Sequence, residues 1–406
     1  MRSRRFRFGR DGGFMKQKGW IHSLVSVGLA ACFAVTASAE TQTLQAGRFE
    51  LAQFDIPCRT AILIDQNSGT ILYEKQADQQ VPIASITKVM TLLLTMEALE
   101  QGQVSLDQVV PVSDHAYNMG GSQIWLEPRE QLTLDEMIRA ICISSANDAA
   151  VAVAEFIGGS EDAFVEKMNA KAAELGMDST HFENACGLDA SGHLSTARDV
   201  ARMSREILNK YPKILEYTGI WMDTLRGGQT HLINTNKLLK RYEGITGLKT
   251  GTTSGAGVCL SASATRGDLS LIAVVLGSPS SAERFKAATT LLDYGFANFE
   301  QAKLELPSSR PSELTVEQGN QETVTLQYPE LEGVLVKKGD TQPVEVTLDL
   351  PQSIEAPVEQ GQTLGTVNVS HGGQNLGQWP IVAAQPVQKL TFKVVLLRLW
   401  EKVLEP

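Results

Sequence analysis

Three short runs combine residue types that together can carry out acyl transfer: Ser85-Ile86-Thr87-Lys88, Ser145-Ala146-Asn147 and Lys249-Thr250-Gly251. A serine hydroxyl is a poor nucleophile until a base takes its proton, and a lysine of depressed pKa can be that base. Ser85 and Lys88 open a helical pattern one turn apart, so both side chains reach one face. A serine at a helix start also has backbone N–H groups aimed at whatever it attacks. Burial near Lys249, a like charge, is expected to depress Lys88. The plainer reading makes Ser85 a helix cap and Lys88 a solvated first-turn residue, although a cation there opposes the helix dipole.

Ser145 and Asn147 fall between two helical patterns, where a hydroxyl and an amide either cap a helix or face a cleft. Lys249-Thr250-Gly251 ends a strand pattern. Lys and Thr can hold a carboxylate by charge-assisted hydrogen bonds, and Gly lets ligand and backbone approach closely. A strand edge can also bind an extended peptide. The plainer reading is a strand-end lysine beside a turn glycine. Each run is weak alone. Their conjunction, each in a fitting setting, points to a serine hydrolase that works through a covalent acyl-enzyme.

Residues 40–300 read as a mixed α/β domain that positions these runs. Strand patterns over Thr60–Asp65 and Thr70–Glu74 flank the turn Asn67-Ser68-Gly69 and predict a hairpin. Helices are predicted over residues 85–102, with Met90, Leu93, Leu94 and Leu99 on one face, and over 132–143, 146–157, 161–175 and 196–209. Ser179–Thr196 reads as a long loop of the kind that is often functional. Strands follow over 244–250, 257–264 and 269–277, then a helix over 282–300. Residues 301–387 carry short alternating runs among Pro, Gly and Gln, which suggests a small all-β domain, a sandwich or barrel. Residues 388–406 project Phe392, Val395, Leu396, Leu399, Trp400, Val403 and Leu404 onto one helical face. That helix is too short to span a bilayer but suited to lie in its surface; the alternative is packing on the β domain.

The 406 residues have a formal net charge of -10. Seven of the 36 Lys and Arg lie in the first 39 residues against a single acid, Asp11, so the body is more acidic than the whole, which argues against nucleic acid as a partner. Residues 1–39 read as a signal peptide: Lys16 and Lys18, an apolar stretch from Ile21 to Val35, then Ala37-Ser38-Ala39 as a cleavage site, with Met15 a possible true start. A retained anchor, or lipidation at Leu29-Ala30-Ala31-Cys32, are the alternatives. Of the remaining cysteines, Cys58, Cys142, Cys186 and Cys259 are expected to be mostly buried free thiols, with one disulfide as the other option. No Cys-x-x-Cys or His-x-x-x-His spacing suggests a metal, and no cofactor is expected.

The motif set resembles that of penicillin-recognising serine enzymes. Residues 82–91, 145–150, 176–184 and 244–251 look specifically like low-molecular-mass penicillin-binding proteins with D-alanyl-D-alanine carboxypeptidase activity. The resemblance implies a transpeptidase/β-lactamase-like domain, an antiparallel sheet with flanking helices and a helical subdomain. It implies stem peptides of peptidoglycan as substrate and β-lactams as covalent inhibitors. The enzyme would act in the periplasm, held on the outer face of the inner membrane. Ser85 would attack the carbonyl of the penultimate D-Ala and Lys88 would accept its proton. Ser145, with Lys249, would pass a proton to the departing D-Ala, and Asn147 would bind the peptide backbone. Lys249, Thr250 and Gly251 would receive the terminal carboxylate, and the oxyanion would lie between the N–H groups of Ser85 and Thr252.

The chain departs from relatives at Cys186 and Thr252, where some carry other residues, which bears on substrate contacts and deacylation. A β-lactamase would need a deacylating base; Glu183 lies in the long loop without the usual Glu-x-x-Leu-Asn pattern. A D,D-endopeptidase uses the same residues, and a non-catalytic penicillin-binding scaffold would not need them intact.

Overall fold

The computed structural model describes residue 44, residues 47–392 and residues 395 and 396. The expected signal peptide lies outside the described residues, as does most of the expected C-terminal helix. Strands β1 (Thr60–Asp65) and β2 (Ile71–Lys75) form the expected hairpin. Its turn is tied by Ser68, whose N–H and hydroxyl both donate to the Asp65 carboxylate at 2.7 and 2.6 Å. Together with β5 (Ile245–Thr253), β6 (Gly257–Arg266) and β7 (Leu269–Ser278) they make a five-stranded antiparallel sheet of order β2-β1-β7-β6-β5. The sheet is covered on both faces, which is why β1 is buried throughout and reads as a continuous apolar run. Alternate residues serve different cores: Ile62, Ile64, Ile272 and Val274 face the helical side, while Ala61, Leu63, Ala273 and Val275 face α8 (Ser281–Asn298).

The helical side comprises α1 (Lys88–Glu100), α2 (Asp114–Tyr117), α3 (Leu134–Ile143), α4 (Asn147–Gly158), α5 (Glu161–Glu174), α6 (Ala197–Lys210) and α7 (Leu215–Thr218). Side-chain caps set several starts, including a capping box between Thr133 and Glu136 and the Thr196 hydroxyl on the Asp199 N–H. Helix α1 departs from the expected one-faced pattern. Every residue from Lys88 to Met96 is buried, because α4, α5, α6 and β5 surround it, and Leu99 is only half-buried. It also begins three residues later than expected. Ala84–Thr87 is a 3-10 turn, and the Ser85 hydroxyl does not cap it. A short hairpin, β3 (Met222–Leu225) with β4 (Thr230–Ile233), precedes β5 and had no clear strand signal.

After α8 the chain enters β8 (Phe299–Ala302), which pairs with β11 (Val334–Lys337), so the expected junction at residue 300 falls inside a strand. Gln301 of β8 donates to the Asp65 carboxylate at 3.0 Å, and Arg48 donates to the Leu335 carbonyl. The β-rich part has one six-stranded sheet, built from β9 (Glu313–Glu317), β10 (Thr323–Gln327), β12 (Val344–Asp349), β13 (Ser353–Glu355), β14 (Thr363–His371) and β15 (Gln374–Ala383). Its order is β12-β14-β15-β10-β9-β13. Alternating residues such as Leu314, Val316, Val324 and Val367 close a small core of their own. No helix among the described residues is long and apolar enough to cross a membrane.

Candidate active site

Each of the three motif runs arrives at the cleft by a different route. Ser85 rides on the 3-10 turn that enters α1, and the residue before it, Ala84, is forced to φ +50°. Ser145 sits between α3 and α4 at φ +62°, again outside the usual region for a side-chain-bearing residue. Such conformations cost roughly 1–3 kcal/mol each and persist where the surroundings over-determine them. They also explain why neither serine caps its helix: the backbone turns each hydroxyl toward the cleft instead. Lys249, Thr250 and Gly251 lie on β5, the edge strand next to that turn.

Ser85 and Lys88, the pair expected to react, are in contact. Lys88 Nζ lies 2.9 Å from Ser85 Oγ, 2.6 Å from Asn147 Oδ1 and 2.7 Å from the Cys186 carbonyl. Ser85 is half-buried while Lys88 is fully buried. Burial pushes the Lys88 amine down from 10.5 to about 8. The expectation was burial near a like charge, Lys249; burial is the dominant cause, and the like-charge effect is felt at Lys249 rather than at Lys88. That lysine is held well below 10.5, first by burial and then by Lys88. Lys249 Nζ donates to Ser145 Oγ and to the Thr250 carbonyl, both at 2.9 Å, so its partners are neutral oxygens.

Gly251 lets the strand approach the nucleophile. A Cβ at this position would lie 3.0 Å from the Ser85 nitrogen and 2.9 Å from the Ile83 carbonyl oxygen. Thr252 follows, exposed, with its hydroxyl donating to the Gly251 carbonyl at 2.7 Å. Asn147 is already engaged: its Oδ1 accepts from Lys88 and its Nδ2 donates to the Gly120 carbonyl at 2.6 Å. Its amide therefore holds the Lys88 amine and has one N–H beyond those two bonds.

Several residues at the site carried no motif signal. Thr235 shares a 2.6 Å hydrogen bond with the Thr250 hydroxyl. Arg284 of α8 reaches through the sheet to the Gly251 and Cys259 carbonyls at 3.3 and 3.1 Å, and burial lowers its pKa to about 10. The buried His193 shares a 2.7 Å hydrogen bond with Thr87 Oγ1, while its Nδ1 accepts from the Glu183 N–H at 3.1 Å. This clamps the long loop onto the nucleophile turn, and burial holds the imidazole neutral with a pKa of about 4. Gly187 of that loop presses so closely that a Cβ would lie 2.0 Å from the Ala84 carbonyl oxygen. Cys186 contributes its carbonyl, and burial raises its thiol pKa, which blunts it as a nucleophile. Cys58, Cys142, Cys186 and Cys259 are all free. Among the described residues no group of three or more His, Cys, Asp or Glu is placed to hold a metal ion.

Two family models match this arrangement. Residues 47–280 match D-alanyl-D-alanine carboxypeptidase, and residues 299–389 match the C-terminal domain of penicillin-binding protein 5. The chain belongs to the D-alanyl-D-alanine carboxypeptidase family, in its low-molecular-mass, penicillin-binding branch with a β-rich C-terminal domain, and is a serine-type carboxypeptidase. It is 42% identical over 344 residues to D-alanyl-D-alanine carboxypeptidase DacF of Bacillus subtilis, covering 84% of this chain and 88% of that one. Penicillin-binding protein 5 of Haemophilus influenzae superposes with a TM-score of 0.71 at 31% identity, over 84% of this chain and 100% of that one. Penicillin-binding protein D2 of Listeria monocytogenes, solved in an ampicillin-bound form, matches with a TM-score of 0.56 at 31% identity, over 60% of this chain and 100% of that one.

Proposed function

We propose that the enzyme removes the terminal D-alanine from peptidoglycan stem pentapeptides, with Ser85 as nucleophile and Lys88 as its base. The observation that carries this reading is the 2.9 Å contact between Ser85 Oγ and a buried amine whose pKa has fallen to about 8. Neutral Lys88 takes the hydroxyl proton as Ser85 Oγ bonds to the penultimate carbonyl carbon. The resulting oxyanion lies between the N–H groups of Ser85 and Thr252. Ser145, backed by Lys249, protonates the departing amine as the peptide bond breaks. Asn147 holds Lys88 in place and donates its free N–H to the substrate backbone. Lys249 and Thr250 receive the terminal carboxylate, and Gly251 leaves room for it beside the nucleophile. Water then attacks the Ser85 ester and releases the shortened peptide. A β-lactam enters the same path and leaves a slowly hydrolysed ester on Ser85.

The test is mass spectrometry after benzylpenicillin, with peptide mapping of the adduct. The adduct is expected on Ser85, and Ser85→Ala is expected to stay folded and unlabelled. Labelling of that variant would end the mechanism. The β-lactamase alternative finds little support, since the Glu183 carboxylate pairs with His181 at 3.2 Å.

The remaining parts of the reading concern placement. Residues 1–39 act as a signal peptide that delivers the enzyme to the periplasm. Residues 40–300 form the peptidase domain and 301–387 the β-rich domain. Residues 388–406 form a helix that lies on the outer face of the inner membrane. Phe392, Val395 and Leu396, three members of its apolar face, are helical and 82%, 36% and 45% exposed, which supports a lipid partner over packing on the β domain. Deleting residues 388–406 is expected to release the enzyme from membranes with activity kept; retention on membranes would refute the tail as anchor.

A further inference from the structure

The loop between α2 and α3 is hydrogen-bonded to its surroundings at Gly120, Ser122, Ile124, Trp125 and Leu126 but presents one large ring to solvent. The Ser122 carbonyl accepts from the Asn147 N–H at 2.7 Å, and the Gly120 carbonyl accepts from the Asn147 side chain. Asp148, 1% exposed, accepts from the Ile124 and Leu126 N–H groups at 3.1 Å. Arg226 donates to the Ile124 carbonyl at 2.8 Å and to the Trp125 carbonyl at 3.3 Å, and is itself ion-paired with Glu130. The side chains of Ile124 and Leu126 are buried in the core. Between them, Trp125 is held at φ +59°, a genuine outlier for a bulky residue, and its side chain is left 75% exposed.

Neither propensity nor packing explains this arrangement. A buried carboxylate, Asp148, and a half-buried ion pair, Arg226 with Glu130, are committed to fixing a backbone whose product is an exposed indole. The same Asn147 that holds Gly120 and Ser122 of this loop also touches Lys88, so the segment that carries the ring is tied to the cleft a few residues before it. Rigid aromatic rings on a fixed backbone give large contact area at low entropic cost.

We propose that Trp125 is a substrate subsite. It receives the part of the stem peptide that precedes the two terminal alanines, stacking against its extended backbone and the aliphatic stem of its diamino-acid side chain. This rests on the stem-peptide reading above. The methyl groups of D-Ala-D-Ala are too small to need such a platform, and in the reading above their carboxylate end is taken by Lys249 and Thr250 of β5. Trp125 is therefore a specificity-determining residue, with no part in bond making.

The experiment compares the ratio of kcat/KM for a stem pentapeptide to kcat/KM for N-acetyl-D-Ala-D-Ala. Trp125→Ala is expected to lower that ratio about tenfold, chiefly through KM for the pentapeptide, and Trp125→Phe to recover most of it. An unchanged ratio would overturn the subsite. A second measurement separates this from the activity itself. Indole fluorescence of the Ser85→Ala protein is expected to change on saturation with pentapeptide, and the change is expected to vanish when Trp125→Phe is added. A wild type that releases no D-Ala while this change persists would overturn the substrate reading and keep the subsite; a change that survives Trp125→Phe would overturn the subsite.

Discussion

The two halves of the molecule use their interiors differently. Among the described residues, every buried polar or charged side chain stands at or before Arg284, and from residue 300 onward the buried side chains are Leu, Val, Ile and Ala, with Tyr328 and Trp379 packed at their margin. The first half buries Lys88, Lys249, Asp148 and Arg284 and holds Ala84, Trp125 and Ser145 at positive φ. Burying charge and bending backbone both cost stability. The catalytic half accepts those costs around one cleft, whereas the β-rich half shows the pattern of a support.

That contrast can be broken by substitution. The largest effect is expected at Lys88. Lys88→Met should lower the acylation rate by benzylpenicillin at least about 10³-fold, because it removes the base and leaves Asn147 Oδ1 and the Cys186 carbonyl without their donor. A loss below tenfold would mean another group takes the proton. Lys249→Gln is expected to lower kcat/KM for a stem pentapeptide by about 10²-fold, with KM rising, since it removes the cation from the carboxylate site.

The pH dependence has a definite sign. In the proposed mechanism neutral Lys88 is the active form, and its pKa is lowered from 10.5 to about 8. Acylation should rise about tenfold per pH unit up to about pH 8 and then level off. Stopped-flow measurement between pH 5 and 9 checks it, and a flat profile would remove the amine as base. The smallest effect on turnover is expected in the other half. Ile381→Ala empties part of the small core and should cost about 2–5 kcal/mol of stability. In a denaturation experiment it should lower the midpoint, with kcat/KM staying within twofold. A matching loss of activity would show that the β-rich half does more than support.

Much of this was legible in the sequence because it is local. A hairpin about Asn67-Ser68-Gly69 and the helices that became α3, α5 and α6 are marked within a few residues, and the three motif runs, each weak alone, gain their weight together. What stayed hidden depends on partners far along the chain. Helix α1 looked one-sided because its own period gives no sign of the elements that enclose it. Thr235, His193 and Arg284 carry no pattern, and their roles come from contacts with Thr250, Thr87 and Gly251. The Trp125 loop was missed for the same reason: its order is imposed by Asp148 and Arg226. The six-stranded sheet was only partly foreseen, since alternation marks strands without stating whether they join one sheet or two.

The placement of Ser85 and Lys88 on one continuous turn has a dynamic consequence. In the proposed mechanism the attacking oxygen and the proton acceptor are carried by a single stiff segment, whereas the carboxylate cradle belongs to a separate strand. Thermal sliding of helices against the sheet would therefore widen or narrow the gap that admits a ligand, while the distance over which the proton hops stays constant.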